Sequence, residues 1–88
     1  MIVYPTASGT AANALALSAM TPVFGSIYCH KHSHINTDEC GAPEFYTGGA
    51  KLVPLNGING KFTPEELSEN IGGVGIVHHT QPSVVSIT

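Results

Sequence analysis

The stretch SGTAANALALSAM, residues 8–20, decides the fold because it joins the end of a strand to the start of a helix. Residues 2–4, Ile-Val-Tyr, are typical of a buried strand, and Pro5 ends that strand. Residues 10–20 are rich in Ala and Leu and apolar almost all round, which predicts a buried helix rather than an amphipathic surface helix. The segment therefore predicts a strand–loop–helix unit.

The triplet Ser8-Gly9-Thr10 in this unit is a candidate binding segment for an anion. The first N–H groups of a helix have no intrahelical partner and lie at the positive end of the helix dipole, so a phosphate is favoured there. Glycine lets the backbone approach the anion closely, and the two hydroxyls can add hydrogen bonds. Ordinary helix capping by Ser8 or Thr10 is the alternative explanation of the same triplet.

The rest of the chain alternates between strand and helix patterns. Strands are predicted at residues 26–29, 50–55 and 84–87. A helix is predicted from Asn36 or Thr37 to about residue 46, and another after Thr63, with Pro64 and Glu66 at favoured positions. This alternation predicts an α/β fold with a mostly parallel sheet and crossover connections. Because the last predicted strand coincides with the last residues, we expect the sheet to be incomplete in this chain.

Three carboxylates fall on the second predicted helix. Asp38 and Glu39 lie in its predicted first turn, where the helix dipole favours anions, and Glu44 lies further round. Pro43 implies a kink or an early end of this helix. We therefore interpret the three carboxylates as solvated or dipole-stabilising groups.

The composition is that of a protein interior. Of the 88 residues, 42% are hydrophobic and 10% are charged, against about 25% charged in an average globular protein, and the mean hydropathy is +0.15. A small domain needs a proportionally large solvated surface. The composition therefore predicts that these residues belong to the interior of something larger, or to one side of an extensive interface.

The charged residues exclude several classes of partner. The net charge is −3, the three basic residues are lysines and arginine is absent, so the basic stripe that nucleic-acid binding requires is missing. Two cysteines are too few for a disulfide scaffold. The longest apolar stretch, residues 11–20, is too short to span a membrane, and no signal peptide is visible. We expect a cytoplasmic protein that binds neither nucleic acid nor membrane.

Alternating histidines form the second chemical feature. His30, His32 and His34 would face one side of an extended backbone. One neutral imidazole could stack on a flat cofactor, or the three could be a polar loop. A third interpretation is a metal site, drawing on one set of possible ligands: Cys29, Cys40, Asp38, His78 and His79. Cys29 and Cys40 do not have the spacing of ordinary metal ligands, so we predict no metal.

Together these segments resemble a known family. The run from Ser8 to Asn13 is similar to the phosphate-binding segment of low-specificity threonine aldolases, which are related to the β-eliminating lyases. Residues 29–45, CHKHSHINTDECGAPEF, resemble a characteristic block of one branch of this family. The likeness continues through residues 48–52 and resumes at residues 79–82, so it covers nearly the whole chain.

The resemblance implies a fold, a cofactor and site residues. The fold would be the fold-type-I fold of pyridoxal-phosphate-dependent transferases, and residues 1–88 would form part of its large domain, truncated at both ends. Ser8, Gly9 and Thr10 would hold the phosphate of pyridoxal 5′-phosphate, and His34 would stack on the pyridine ring and help to place the substrate. The partners implied are an amino-acid substrate and further copies of the chain in a homo-oligomer.

Several family residues have no counterpart here: a lysine, an aspartate, the arginines that hold the substrate carboxylate and a second histidine near the substrate hydroxyl. No lysine matches the one that forms the Schiff base: Lys31, Lys51 and Lys61 all lie elsewhere. Asp38, the sole aspartate, does not match the one that pairs with the pyridine nitrogen. We therefore predict a fragment of a lyase that cleaves threonine or another β-hydroxy amino acid to glycine and an aldehyde, inactive alone. The alternative is a non-catalytic interaction or scaffold remnant.

Overall fold

A parallel three-stranded sheet organises the chain, and the computed structural model describes all residues, 1–88. The strand order is β2-β1-β3. The elements in chain order are α1 Gly9–Met20, β1 Gly25–His30, α2 His34–Thr37, α3 Ala42–Tyr46, β2 Lys51–Leu55, a 3₁₀ turn Ile58–Gly60, α4 Pro64–Asn70 and β3 Gln81–Val85. The predicted α/β class with a parallel sheet is confirmed.

The central strand β1 is buried along its whole length. It pairs with β2 from Ser26 opposite Lys51 to His30 opposite Leu55. Its other edge pairs with β3, with an irregularity in register between Ser26 and Ile27. Each outer strand contains a proline, a residue that a sheet accepts at its edges because proline cannot donate to the ladder.

The hydrophobic core lies on one face of the sheet, under α1. Its buried members come from α1, α2, the central strand and the residue just before β2: Leu17, Ile27, Cys29, Ile35 and Ala50. Ile27 and Cys29 are two residues apart in β1 and therefore point to the same face. None of the helices has the length and apolarity needed to cross a membrane.

The structure corrects two predictions about the N-terminal segment. Residues 2–4 do not form a strand; their side chains are exposed, and no strand of this chain pairs with them. The helix α1 exists as predicted, but only Ala14 and Leu17 are buried in it, whereas Leu15 and Met20 are exposed. Only one side of α1 contacts other elements of the chain, so a sequence that is apolar all round leaves most of its surface uncovered.

The second predicted helix is in fact two short helices. Cys40 and Gly41 adopt left-handed backbone conformations, with φ of 52° and 77°, and this break separates α2 from α3. Pro43 lies in the first turn of α3, where the missing N–H costs nothing, so it begins a helix rather than kinking one. Asp38 and Glu39 follow α2 instead of opening a helix, which contradicts the predicted placement.

The C-terminal half agrees better with the sequence patterns. Thr63 and Glu66 form the predicted capping box at the start of α4: each side chain bonds the backbone N–H of the other residue. The last strand begins at Gln81 and ends at Val85, three residues earlier at its start than the predicted 84–87. Gln81 fixes this earlier start, because its backbone N–H donates to the carbonyl of Phe24 at 2.9 Å.

Candidate functional site

The N-terminus of α1 presents free hydrogen-bond donors. Ser8 is the N-cap, and its Oγ accepts a bond from the backbone N–H of Ala11 at 3.1 Å. The N–H groups of Gly9 and Thr10 donate to no group of the chain. This turn also carries no acidic residue. It is therefore electropositive and can accept an anion.

His34 lies at the start of α2, close to this turn. Its side chain is 57% exposed, so more than half of it is accessible to a ligand. Its Nδ1 lies 2.7 Å from Oε1 of Glu39. The neighbouring Ile35 is in the core beneath α1, which fixes α2 on the same side of the sheet as α1.

Glu39 joins the two features. Its side chain is fully buried, and its Oε1 also accepts a bond of 2.7 Å from Nδ2 of Asn13. Asn13 lies one turn along α1 from Gly9, about 6 Å along the helix axis. Through these two bonds the imidazole of His34 is tied to the first turns of α1.

The role of Glu39 differs from its prediction. The sequence pattern predicted a carboxylate in the solvated first turn of a helix, but the side chain is buried and bridges two elements. The available signal was Asn13, a polar residue within an otherwise apolar helix face. A polar side chain in such a place requires a hydrogen-bond partner, and a carboxylate is a suitable acceptor.

The residues present fit the phosphate and ring of pyridoxal 5′-phosphate. A Cβ built on Gly9 would meet no atom of another element within 4 Å, so this first turn of α1 borders open space. Ser8 and Thr10 add hydroxyls to this donor set, and the exposed imidazole of His34 offers a flat surface for a ring. These are the groups that a phosphate ester on an aromatic ring requires.

The three alternating histidines do not share one side. His30 is buried: its Nε2 contacts the carbonyl oxygen of Gly57 at 2.8 Å, and its Nδ1 accepts from the N–H of His32 at 3.0 Å. Both nitrogens of His30 are therefore used within the chain. His34 is separated from this pair because the chain enters α2 after Ser33, which ends the extended backbone that the prediction required.

His78, His79 and Lys51 lie apart from this site. His78 and His79 line a cavity of about 400 Å³ with Tyr28 and Lys51, and this cavity is on the sheet face opposite the core. No three His, Cys, Asp or Glu side chains come together in a group that could hold a metal ion.

Comparison with known proteins identifies the class of this chain. The β-eliminating lyase family model matches residues 1–88, and the chain belongs to this family.

Two curated relatives show which members of the family this chain is similar to. The chain is 43% identical over 81 residues to the low specificity L-threonine aldolase of Pseudomonas sp. (strain NCIMB 10558), and 41% identical over 81 residues to that of Pseudomonas aeruginosa. Both alignments cover 92% of this chain and 23% of the relative. The chain thus spans about a quarter of the length of the curated relatives it matches.

A solved structure supports the same relationship. The threonine aldolase of Leishmania major superposes with a TM-score of 0.79 at 25% identity, over 91% of this chain and 23% of that structure. The sheet and helices described above therefore match a part of the fold-type-I threonine aldolase domain.

Proposed function

We propose that this chain forms the phosphate-binding and ring-stacking part of a pyridoxal-phosphate site in a lyase. The enzyme would cleave threonine or a related β-hydroxy amino acid to glycine and an aldehyde. One observation supports the proposal beyond family membership: the bonds between Asn13 and Glu39 and between Glu39 and His34 tie an exposed imidazole to α1, about one turn from its electropositive end.

Each residue has a distinct role in this proposal. Gly9 and Thr10 donate backbone N–H bonds to the phosphate, and the hydroxyls of Ser8 and Thr10 add to them. His34 covers one face of the ring, fixes its plane and helps to orient the substrate. When bound, pyridoxal phosphate supplies an electron sink for the cleavage of a bond to Cα of an amino acid.

Catalysis requires residues that these elements do not supply. Lys51, on the opposite sheet face, is unsuited to bond the cofactor, and Asp38 bonds Thr37 at the surface. We therefore propose that residues 1–88 are part of a larger cofactor-binding domain and that the 88-residue chain has no aldolase turnover of its own. A homo-oligomer would complete the site. Both cysteines are free thiols, compatible with a cytoplasmic enzyme of amino-acid metabolism.

The substitution Gly9→Ala tests the phosphate assignment. The new methyl group meets no atom of another element, so the fold should be unchanged, but it adds bulk to the turn that carries the free N–H groups. We expect the affinity for pyridoxal phosphate to fall roughly 10- to 100-fold, about the value of one hydrogen bond to a charged group. Titration of the ¹⁵N-labelled chain would give both the affinity and the residues that shift.

Gly72→Ala is the matched control, because a Cβ at Gly72 also meets open space. It should leave the affinity unchanged. Equal binding by the Gly9→Ala variant, or shifts confined to residues far from Ser8 and His34, would reject the assignment. Release of glycine from threonine by the purified chain, above that with free cofactor, would reject the proposed inactivity.

A second candidate function is a non-catalytic interaction or scaffold role. The observation that favours it is the apolar surface, since Leu15, Phe45 and Tyr46 on α1 and α3 are all more than half exposed. Self-association that pyridoxal phosphate does not affect, in a chain that fails to bind the cofactor, would support this role instead.

A further inference from the structure

Glu39 makes two short bonds through one oxygen. Nδ2 of Asn13 and Nδ1 of His34 each lie 2.7 Å from Oε1, while Oε2 is buried without a partner. The amide nitrogen of Asn13 can only donate, so Oε1 accepts that bond. An ionised carboxylate has no proton to give, so Nδ1 of His34 must donate the other.

We propose that Glu39 is the positioning residue of His34, holding the imidazole proton on Nδ1 and leaving Nε2 as the acceptor. This inference rests on the proposed function, because it specifies what His34 presents to the bound molecule. Nε2 makes no hydrogen bond within the chain, and the side chain is 57% exposed. A neutral imidazole protonated at Nδ1 can accept a hydrogen bond at Nε2 from a hydroxyl or an ammonium group of a ligand.

The bond to Asn13 adds a mechanical link. The same carboxylate oxygen contacts α1 and His34. It therefore holds the plane of the imidazole in a fixed orientation relative to the helix that binds the phosphate. The ring-stacking and phosphate-binding groups therefore keep a fixed relation, although they are more than 20 residues apart in the chain. A carboxylate bonded to one ring nitrogen fixes both the tautomer and the orientation of an imidazole.

Because Oε2 has no partner, two substitutions of Glu39 can separate loss of its hydrogen bonds from loss of its charge. In Glu39→Gln the amide nitrogen takes the place of Oε2, where no bond is lost, and the remaining oxygen can still accept both bonds. In Glu39→Met the side chain keeps a similar volume but accepts no strong bond. Asp38→Asn is the control, since Asp38 is the adjacent carboxylate and bonds Thr37 rather than His34.

The experiment is a long-range ¹H–¹⁵N correlation spectrum of the imidazole rings in the 88-residue chain, at a pH where His34 is neutral. We expect His34 to carry its proton on Nδ1 in the wild-type, Glu39→Gln and Asp38→Asn chains. In Glu39→Met we expect a shift toward the Nε2-protonated tautomer, which predominates in free histidine. Binding of pyridoxal phosphate should weaken by about 2- to 10-fold in Glu39→Met and less in Glu39→Gln.

Two results would overturn the proposal. The first is a wild-type His34 protonated mainly on Nε2, a result that needs no variant and no cofactor. The second is a Glu39→Met chain that folds, by its amide spectrum, and keeps the wild-type tautomer. If Glu39→Met does not fold, the wild-type spectrum alone decides. A chain with the Nδ1 proton that fails to bind pyridoxal phosphate would reject the proposed function and leave the role of Glu39 in orienting His34 intact.

Discussion

Cys29 lies in the middle of the central strand, and its thiol is fully buried in the core beneath α1. Burial raises the pKa of this thiol, and the carboxylate of Glu44 raises it further, while the hydroxyl of Ser33 opposes the shift. Water stabilises a thiolate in the unfolded chain, but the core does not. The thiol therefore makes the free energy of unfolding depend on pH at alkaline pH.

We predict that the free energy of unfolding falls more steeply above about pH 9.0 in the wild-type chain than in Cys29→Ala. Below the pKa of the thiol in the unfolded chain, the thiol is protonated in both the folded and the unfolded state, and its contribution to the free energy of unfolding is complete. Above it the unfolded chain loses its proton first, so stability is lost until the pH reaches the folded pKa. Urea unfolding under reducing conditions from pH 7 to 10 would measure the difference.

Cys40→Ala serves as the control, because Cys40 is exposed. Its curve should parallel that of the wild-type chain over the whole range. Parallel curves for the wild-type and Cys29→Ala chains would show that folding does not raise the pKa of the Cys29 thiol.

At the residue scale the sequence predicts short-range features and fails where a distant partner decides. Ser8 caps α1 as predicted because the cap depends on neighbours three residues away. Glu39 was misassigned because its partner Asn13 is 26 residues distant. Its burial follows from contacts with residues distant in the chain, and no local pattern reports those contacts.

Among the elements, the junction of α1 with β1 depends on one small residue. A Cβ added at Gly25 would lie 2.6 Å from Oγ of Ser83, 2.8 Å from Cγ2 of Thr21 and 3.0 Å from the carbonyl oxygen of Pro22. The serine side chain can rotate away, but the backbone carbonyl cannot. Gly25 therefore lets β3 and the end of α1 approach the central strand.

We predict that Gly25→Ala lowers the free energy of unfolding by about 1–3 kcal/mol, the usual cost of overpacking a buried position. Gly72→Ala, where a Cβ meets open space, should change it by less than about 0.5 kcal/mol. Equilibrium unfolding in urea, followed by circular dichroism, would compare the two. Equal stabilities would mean that β3 shifts to accept the methyl group.

The elements that the sequence predicts well are those with strong local signals. The strands β1 and β2 and the capping box of α4 all lie within a residue or two of their predicted positions. The break between α2 and α3 was not predicted, because Cys40 is not a residue that usually adopts a left-handed conformation. The early start of β3 depends on Gln81, whose side chain bonds Gly73 and Gly75 in the preceding loop.

For the molecule as a whole, the balance of burial and exposure is unusual. Only 16 of 88 residues are buried, and the radius of gyration is 13.1 Å, somewhat above the roughly 12 Å expected for a compact chain of this length. Large apolar side chains remain exposed on α1 and α3. The low charge content had predicted such a surface, but its position required the structure.

We predict that the 88-residue chain self-associates through this surface. Leu15 and Tyr46 line a shared apolar cavity between α1 and α3, and both are about 60% exposed. Leu15→Lys should reduce association measured by sedimentation velocity, because a charge would have to lose its hydration on contact. Ile58→Lys is the control, since Ile58 is 85% exposed on the 3₁₀ turn away from this cavity. Equal effects of the two variants would contradict a defined surface.

The parallel order β2-β1-β3 also has a consequence in time. Fifty residues, numbers 31–80, separate the end of the central strand from the start of its last partner. At synthesis rates of about 5–20 residues per second, β1 emerges from the ribosome roughly 3–10 s before β3 can pair with it. During that interval its N–H and C=O groups on one edge have no strand of this chain to bond. Until β3 is made, that open edge is a template for pairing with another chain.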